Sequence, residues 1–440
     1  MDKETLKRRV CEFVEKNFAR FTAIGEQILH NPELSYREVK TAALAKGIFE
    51  ELGLPVKEGL SITGLRADLA TGRPGPRVAV LGELDALIVP GHPFADPTTG
   101  AAHACGHHAA FTSMLGAAIA LCQPEVRAEL CGDIAFIATP SEECQNQDYI
   151  ADLIRQGKLH YFSGKSDMLY NGVFDDVDVA LVSHASEFDY LPTGSNGFVM
   201  KHLHFHGKAA HAGSSPDKGV NAATMMRATL SLIDAQRDTF RDENHVRIHG
   251  YIADGGAAVN VVPEHAMYVM QVRGATPEAV ADAAAKVDRC CHAAAVAFGG
   301  RVEVRNIFGF MPLKAYTSLD TMHLRNFRLL EGDEAPFREG VFDCGSTDMG
   351  DVSMVVPSLH MYFTGFQSHA HAIDFLVTDK HTAYATSVKM MALDVIDLLY
   401  GDAALGRQVA AEKTPMTKAE YIAAMDAFTS TRVFDAMTAE

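Results

Sequence analysis

The chain runs to 440 residues, nearly half of them apolar, which is enough to bury a large core and to form two domains. Its formal charge of -17 has the wrong sign for phosphate backbones or anionic membranes, which leaves a small molecule as the expected partner. The opening MDKETLKRRVCEFVEKN alternates charged and apolar residues without a continuous apolar core, so it looks like neither a signal peptide nor a membrane anchor, and the expected location is cytoplasmic. In that compartment the eight cysteines, scattered from Cys11 to Cys344, are expected as free thiols.

In chain order, Leu6, Val10, Phe13, Val14, Phe21, Ile24 and Ile28 form one helical stripe. A turn at HNPEL then leads to a second helical pattern ending near Gly53. The strand-like runs GLRADL, RVAVLGE, DIAFIATP and DVALVSH follow, separated by helical stretches such as FTSMLGAAIALC and YIADLIRQG. That alternation predicts an α/β sheet with parallel strands.

From about Phe198 the texture changes. VMKHLHFHG, HVRIHGYIA and HAMYVMQVR read as strands, and GVNAATMMRATLSLIDAQ as a helix. TPEAVADAAAKVDRCCHAAAVAFGG reads as a second helix, capped by Thr276, with Pro277 in its first turn and Gly299-Gly300 at its end. Its cysteines, Cys290 and Cys291, read as packing residues. After Pro312 the pattern returns to helix, strand and helix, through SLHMYFTG and KHTAYATSVKMMALDVIDLLY. The expected fold class is therefore α/β: a mixed, mainly parallel catalytic sheet with an inserted α+β, ferredoxin-like β-α-β-β-α-β unit. The expected boundaries are 1–196 and 312–440 for the catalytic domain and 197–311 for the insert.

Chemically notable residues fall just beyond the apolar strand runs: Glu83 and Asp85, Glu142 and Glu143, His184, and His369 and His371. In open α/β sheets the ligand site lies beyond the carboxyl ends of the strands, so residues far apart in sequence can converge there. A further cluster, HACGHH at 103–108, precedes a helix. Thiolate, imidazole and carboxylate are the donors a borderline divalent metal accepts, and Cys105 and His107 can reach one centre around Gly106. Of two adjacent carboxylates, one can bind metal while the other removes a proton. Asp85 is placed to support His107. His202, His204 and His206 also alternate, but no acidic base lies near them in sequence, and an exposed or interface sheet face explains them better than a three-imidazole site. GSSPDKG and GSTDMG read as loops rather than serine nucleophile elbows.

At these positions the chain resembles the two-metal aminoacylase and carboxypeptidase amidohydrolases. The branch it resembles holds indole-acetyl-amino-acid hydrolases, aminobenzoyl-glutamate hydrolases and β-alanyl dipeptidases. The resemblance rests on HNPELSYRE, GELDAL, HACGHH, PSEE, GKAAHAGSSPDKGVNA, GGAAVNVVP, GSTDMGDVS and His371, in that order along almost the whole chain. It implies two divalent ions, zinc or manganese with cobalt or nickel as alternatives, held by Cys105, His107, Glu143, His184 and His371. It implies Glu142 as general base, and His211, Asn260 and Arg273 of a lid and dimerisation insert as substrate-binding residues. His211 would act as oxyanion donor and reach the active site of the other subunit of a homodimer. The resemblance also favours His371 over His369 through its spacing to Phe375.

Three features depart from the pattern: His108, expected here as a substrate-binding residue, Cys144-Gln145 after the glutamate pair, and the insertion VPGHPFADPTTG. The expected reaction is metal-assisted hydrolysis of a C–N bond, the amide of a small N-acyl amino acid, dipeptide or aryl-amide with a free carboxylate. The alternatives are hydrolytic deamination of an electron-poor aromatic amine at the same metals, and a noncatalytic binding protein on a hydrolase fold.

Overall fold

The computed structural model describes residues 1–437. They divide into two compact units. The first holds Met1–Gly194, Lys314–Asp343 and Asp351–Lys418; the second holds Ser195–Leu313, Cys344–Gly350 and the chain from Ala419 onward. Among the described residues no helix is long and apolar enough to cross a membrane.

The first unit opens with helices Lys3–Lys16 and Phe18–Leu29, so the single apolar stripe is interrupted. Asn17 causes the break: its side-chain amide donates to the Phe13 carbonyl at 2.8 Å, offering the backbone a competitor to the next helical turn. Apolar side chains on both sides of the break stay in one core. In the HNPEL turn, the Glu33 carboxylate accepts from the Lys40 and Thr41 backbone N–H groups, an anion on the first turn of helix Val39–Glu51.

The main sheet has eight strands, ordered across it as Val56–Leu60, Gly64–Ala70, Asp133–Thr139, Arg77–Glu83, Val179–Ala185, Ser358–Phe363, Tyr190–Ser195 and Arg338–Asp343. The four central strands, Asp133–Thr139 through Ser358–Phe363, run parallel. Gly64–Ala70, the first run of the predicted parallel set, instead pairs antiparallel with Asp133–Thr139. The central strands are apolar almost throughout, as a sheet covered on both faces requires. Every residue of helix His107–Leu121 is buried, which accounts for its lack of Asp, Glu, Lys and Arg.

In the second unit an antiparallel sheet runs Arg247–Asp254, His265–Gly274, Gly197–His206, Arg301–Phe310, the order of a ferredoxin-like unit. Helices Ala222–Ala235 and Pro277–Phe298 share its core, and the longer one keeps its expected cap, with Thr276 Oγ1 accepting from Ala279 N at 3.1 Å. A fifth strand, Ser430–Asp435, pairs with Arg301–Asn306, so the stretch after Pro312 does not all rejoin the first unit. Its anchor is ionic: Arg432 meets Asp288 at 2.8 Å, and Asp288 also takes the buried Lys201 at 2.7 Å. Nothing in the periodicity of STRVFD announces that partner. His202, His204 and His206 share the face opposite the buried Leu203 and Phe205, and among the described residues they belong to no group of three donors close enough to share a cation.

Candidate active site

All the predicted metal donors lie in the first unit, at the ends of its parallel strands or in loops folded over them. Cys105, His107 and His184 bring one donor atom each within 4.8 Å of one another, and so do Cys105, Glu143 and His371. Cys105 therefore belongs to both groups. Gly106 makes this sharing feasible: its φ of +81 suits glycine, and a Cβ there would lie 2.3 Å from the Ala185 Cβ. His371 is itself left-handed at φ 71, and its N–H is fixed to the Ala104 carbonyl at 2.7 Å. His369 is exposed and in neither group.

Two of the three imidazoles, His107 and His184, are aimed by their second nitrogen. The His107 Nδ1–H donates to the Asp85 carbonyl at 2.9 Å and the His184 Nδ1–H to the Ala185 carbonyl at 2.8 Å, which turns both Nε2 atoms into the cluster. There His184 Nε2 stands 3.3 Å from Cys105 Sγ, and His371 Nε2 stands 3.4 Å from Glu143 Oε1. The buried His107 Nε2, Glu143 Oε1 and Glu83 Oε2 make no hydrogen bond.

The electrostatics favour positive charge. Burial and Glu143 push the Cys105 thiol up, but the neighbouring His184 and His107 imidazoles outweigh them and bring it down to about 6. Burial lowers His107, yet Glu83, Asp85 and Cys105 raise it well above its usual range. The close approach of Cys105 and Glu143 raises His371 to about 11. A thiol and a carboxylate pushed toward their anions, facing imidazoles that gather positive charge, fit a divalent metal, which would take the place of the imidazole protons.

The loop carrying the glutamate pair is held by its backbone. The N–H of Ser141 goes to Glu38 Oε1, those of Glu142 and Glu143 to the two oxygens of Asp85, and that of Gln145 to Ser35 Oγ. Ser35 Oγ in turn donates to Asp85 Oδ2 at 2.9 Å. Two residues of this loop, Ser141 at φ 52 and Cys144 at φ 49, occupy the left-handed region, and the captured amides offset that strain. Asp85 thus shapes the glutamate loop with its side chain and His107 with its carbonyl. Ser35→Ala should orphan the Gln145 N–H and cost about 1–3 kcal/mol in urea unfolding; a change below about 0.5 kcal/mol would show that the hydroxyl does not hold the loop.

Several expectations need adjustment. His108, expected to bind substrate, is only 2% exposed and packs among Phe366, Tyr384 and His103. The insertion forms a loop closed by Leu87–Ile88 pairing with Ala101–Ala102, and its His92 Nε2 contacts the Phe375 carbonyl at 3.1 Å, near His371 in sequence. Sequence reasoning missed Ser35 and Glu38, although both lie in the HNPELSYRE motif. It also missed Lys165, buried against Glu83 at 2.7 Å, and His360, whose ring lies 5.9 Å from that of His184.

In the second unit the exposed loops bearing His211 and Asn260 are joined: Ala212 N donates to the Asn260 carbonyl at 3.0 Å, and His211 bridges Val261. His211 Nδ1 accepts from the backbone N–H groups of Gly213 and Ser214, so the neutral ring carries its proton on Nε2. Arg273 is held by Gln271 Oε1 at 2.7 Å and Ser346 Oγ at 3.2 Å.

Residues 193–298 match the peptidase dimerisation domain of the M20 family. The chain is 28% identical to the Xaa-Arg dipeptidase of Mus musculus over 91% of each chain. It is 31% identical to the indole-3-acetyl-aspartic acid hydrolase of Enterobacter agglomerans over 55% of each. The chain is thus similar to M20 peptidases and carries their dimerisation domain. Its fold agrees: a dinuclear metal binding peptidase of the M20 family from Bacillus subtilis superposes with a TM-score of 0.68 at 20% identity, over 87% of this chain and 99% of that one. Its relatives are hydrolases, and the chain is an enzyme of that class.

Proposed function

We propose that this hydrolase cleaves the amide bond of a small N-acyl amino acid or dipeptide with a free carboxylate. Glu142 is the general base, and Cys105, His107, Glu143, His184 and His371 are the metal ligands. The observation that carries this reading is the pair of three-donor groups sharing Cys105, with Glu142 beside them at 3.9 Å from His107 Nε2. The substrate class is supported by relatives named for a dipeptide and for an acylated aspartate.

Divalent metal at these donors supplies Lewis-acid polarisation of the scissile carbonyl and a more acidic water. The chain's residues do the rest. Glu142, largely buried and fixed through its backbone N–H, takes a proton from the attacking water and hands it to the departing nitrogen. His211, with its proton on Nε2, donates to the oxygen on which charge develops. Arg273, whose planar fork suits two oxygens, and Asn260 hold the substrate carboxylate. The dimerisation domain supports a homodimer as the working form.

The direct test is a mass-spectrometric screen of N-acyl amino acids and dipeptides with metal-loaded protein. Release of a free amino acid from one class supports the proposal, whereas ammonia release from aromatic amines without a carboxylic-acid product would replace it with deamination. Cys105→Ser is expected to weaken metal binding by about tenfold or more, because a hydroxyl is a poorer donor than a thiolate for borderline metals. Equilibrium dialysis showing undiminished affinity would remove Cys105 from the ligand set.

A further inference from the structure

We propose that Glu83 is an additional protein ligand of this metal centre, an anionic oxygen donor held in position by Lys165. The inference rests on the metal-hydrolase reading above and adds a donor to it.

Glu83 ends the strand Arg77–Glu83, opposite Thr139 of the neighbouring parallel strand, and is 1% exposed. Its two oxygens have different surroundings. Oε1 takes the ammonium of Lys165 at 2.7 Å, and Lys165 is 0% exposed. Oε2 is buried, makes no hydrogen bond, and stands 3.3 Å from His107 Nε2.

That second contact is unfavourable unless a cation lies within it. The His107 Nδ1–H is committed to the Asp85 carbonyl, so a neutral ring presents a lone pair at Nε2, directed at a carboxylate oxygen. Two acceptors facing each other in a buried site repel, and leaving either unsatisfied costs about 1–3 kcal/mol. A proton placed between the two atoms would relieve that repulsion.

A metal resolves it better, because it satisfies the imidazole and the carboxylate together. The spacing suits this: two donors about 2.0–2.2 Å from one tetrahedral ion lie about 3.4 Å apart, and the pair is set at 3.3 Å.

Lys165 explains why this carboxylate stays ionised and oriented. Its ammonium, itself fully buried, sits 2.7 Å from Oε1 and compensates the carboxylate charge in a site closed to water. With Oε1 occupied by the ammonium, Oε2 is left as a single directed donor. A purely structural pair would have no need of a second oxygen facing the imidazole that the ligand cluster already uses.

The test separates this inference from the reading on which it rests. Metal-stripped full-length protein is titrated with Co2+, following the thiolate-to-cobalt absorption of Cys105 and counting bound metal by dialysis. Wild type is expected to bind two ions; if it binds none, the metal-hydrolase reading itself fails. Glu83→Gln should weaken one site about tenfold or more while the other is retained. Because that variant strands a buried ammonium, Glu83→Gln/Lys165→Met is measured beside it, and it should show the same selective loss in a protein with wild-type circular dichroism. Two sites of wild-type affinity in the folded double variant would show that Glu83 only partners Lys165. A crystal structure of cobalt-loaded wild type decides the matter without any variant. Glu83 Oε2 within about 2.2 Å of a cobalt ion supports the proposal, and a separation beyond about 3 Å overturns it.

Discussion

Glu142→Gln is expected to lower turnover about 100- to 10,000-fold while the protein keeps its full complement of metal. The size of the loss follows from removing the only step assigned to this carboxylate, transfer of a proton from water to the leaving nitrogen. Metal content should survive because of how the loop is built. Glu142 is positioned by its backbone N–H on Asp85, and its neighbours by Glu38, Asp85 and Ser35, none of which touches the atom that changes. An amide of the same shape therefore leaves the loop and the ligand cluster undisturbed. Turnover measured together with metal stoichiometry reads both parts. Near-normal turnover with full metal removes Glu142 as base. Lost metal instead makes it a ligand, a role open to it because His107, Glu142 and Glu143 also bring donor atoms within 4.8 Å.

The features legible in the sequence are those whose signal is local. Helix Pro277–Phe298 was readable to its cap because Thr276, Pro277 and Gly299 act within one turn of themselves. The convergence of Cys105, His107, Glu143, His184 and His371 is readable because apolar strand runs end where the polar residues begin, so position along each strand stands in for position in space. What stayed hidden depends on partners far along the chain. Lys165 looks like any surface lysine until Glu83, 82 residues away, is seen to take its charge. Ser430–Asp435 became a fifth strand through Arg432 and Asp288, a contact spanning 144 residues. The packing of His108, adjacent to His107, is likewise not written in the sequence. On the helix His107–Leu121 one residue is a turn of about 100°, enough to carry its ring into the core.

His211→Ala and Glu142→Ala should each leave a nearly inactive homodimer, the first lacking the proposed oxyanion donor and the second the base. His211 suits that task through its tautomer. Two backbone N–H groups, from Gly213 and Ser214, point at Nδ1, which places the ring proton on Nε2. The ring is thereby a donor without needing to be charged, and its loop is exposed. If each site takes its His211 from the other subunit, the two variants complement each other. A mixed dimer then holds one site with Glu142 and a partner His211 both intact, and one site with neither. Under statistical subunit exchange half the molecules are mixed and half their sites complete, so activity should rise toward roughly one quarter of wild type. The experiment needs exchange shown independently, for instance by mass spectrometry of differently tagged subunits. Exchange without recovery, or a fully active monomer, would place the action of His211 within its own chain or remove it from catalysis.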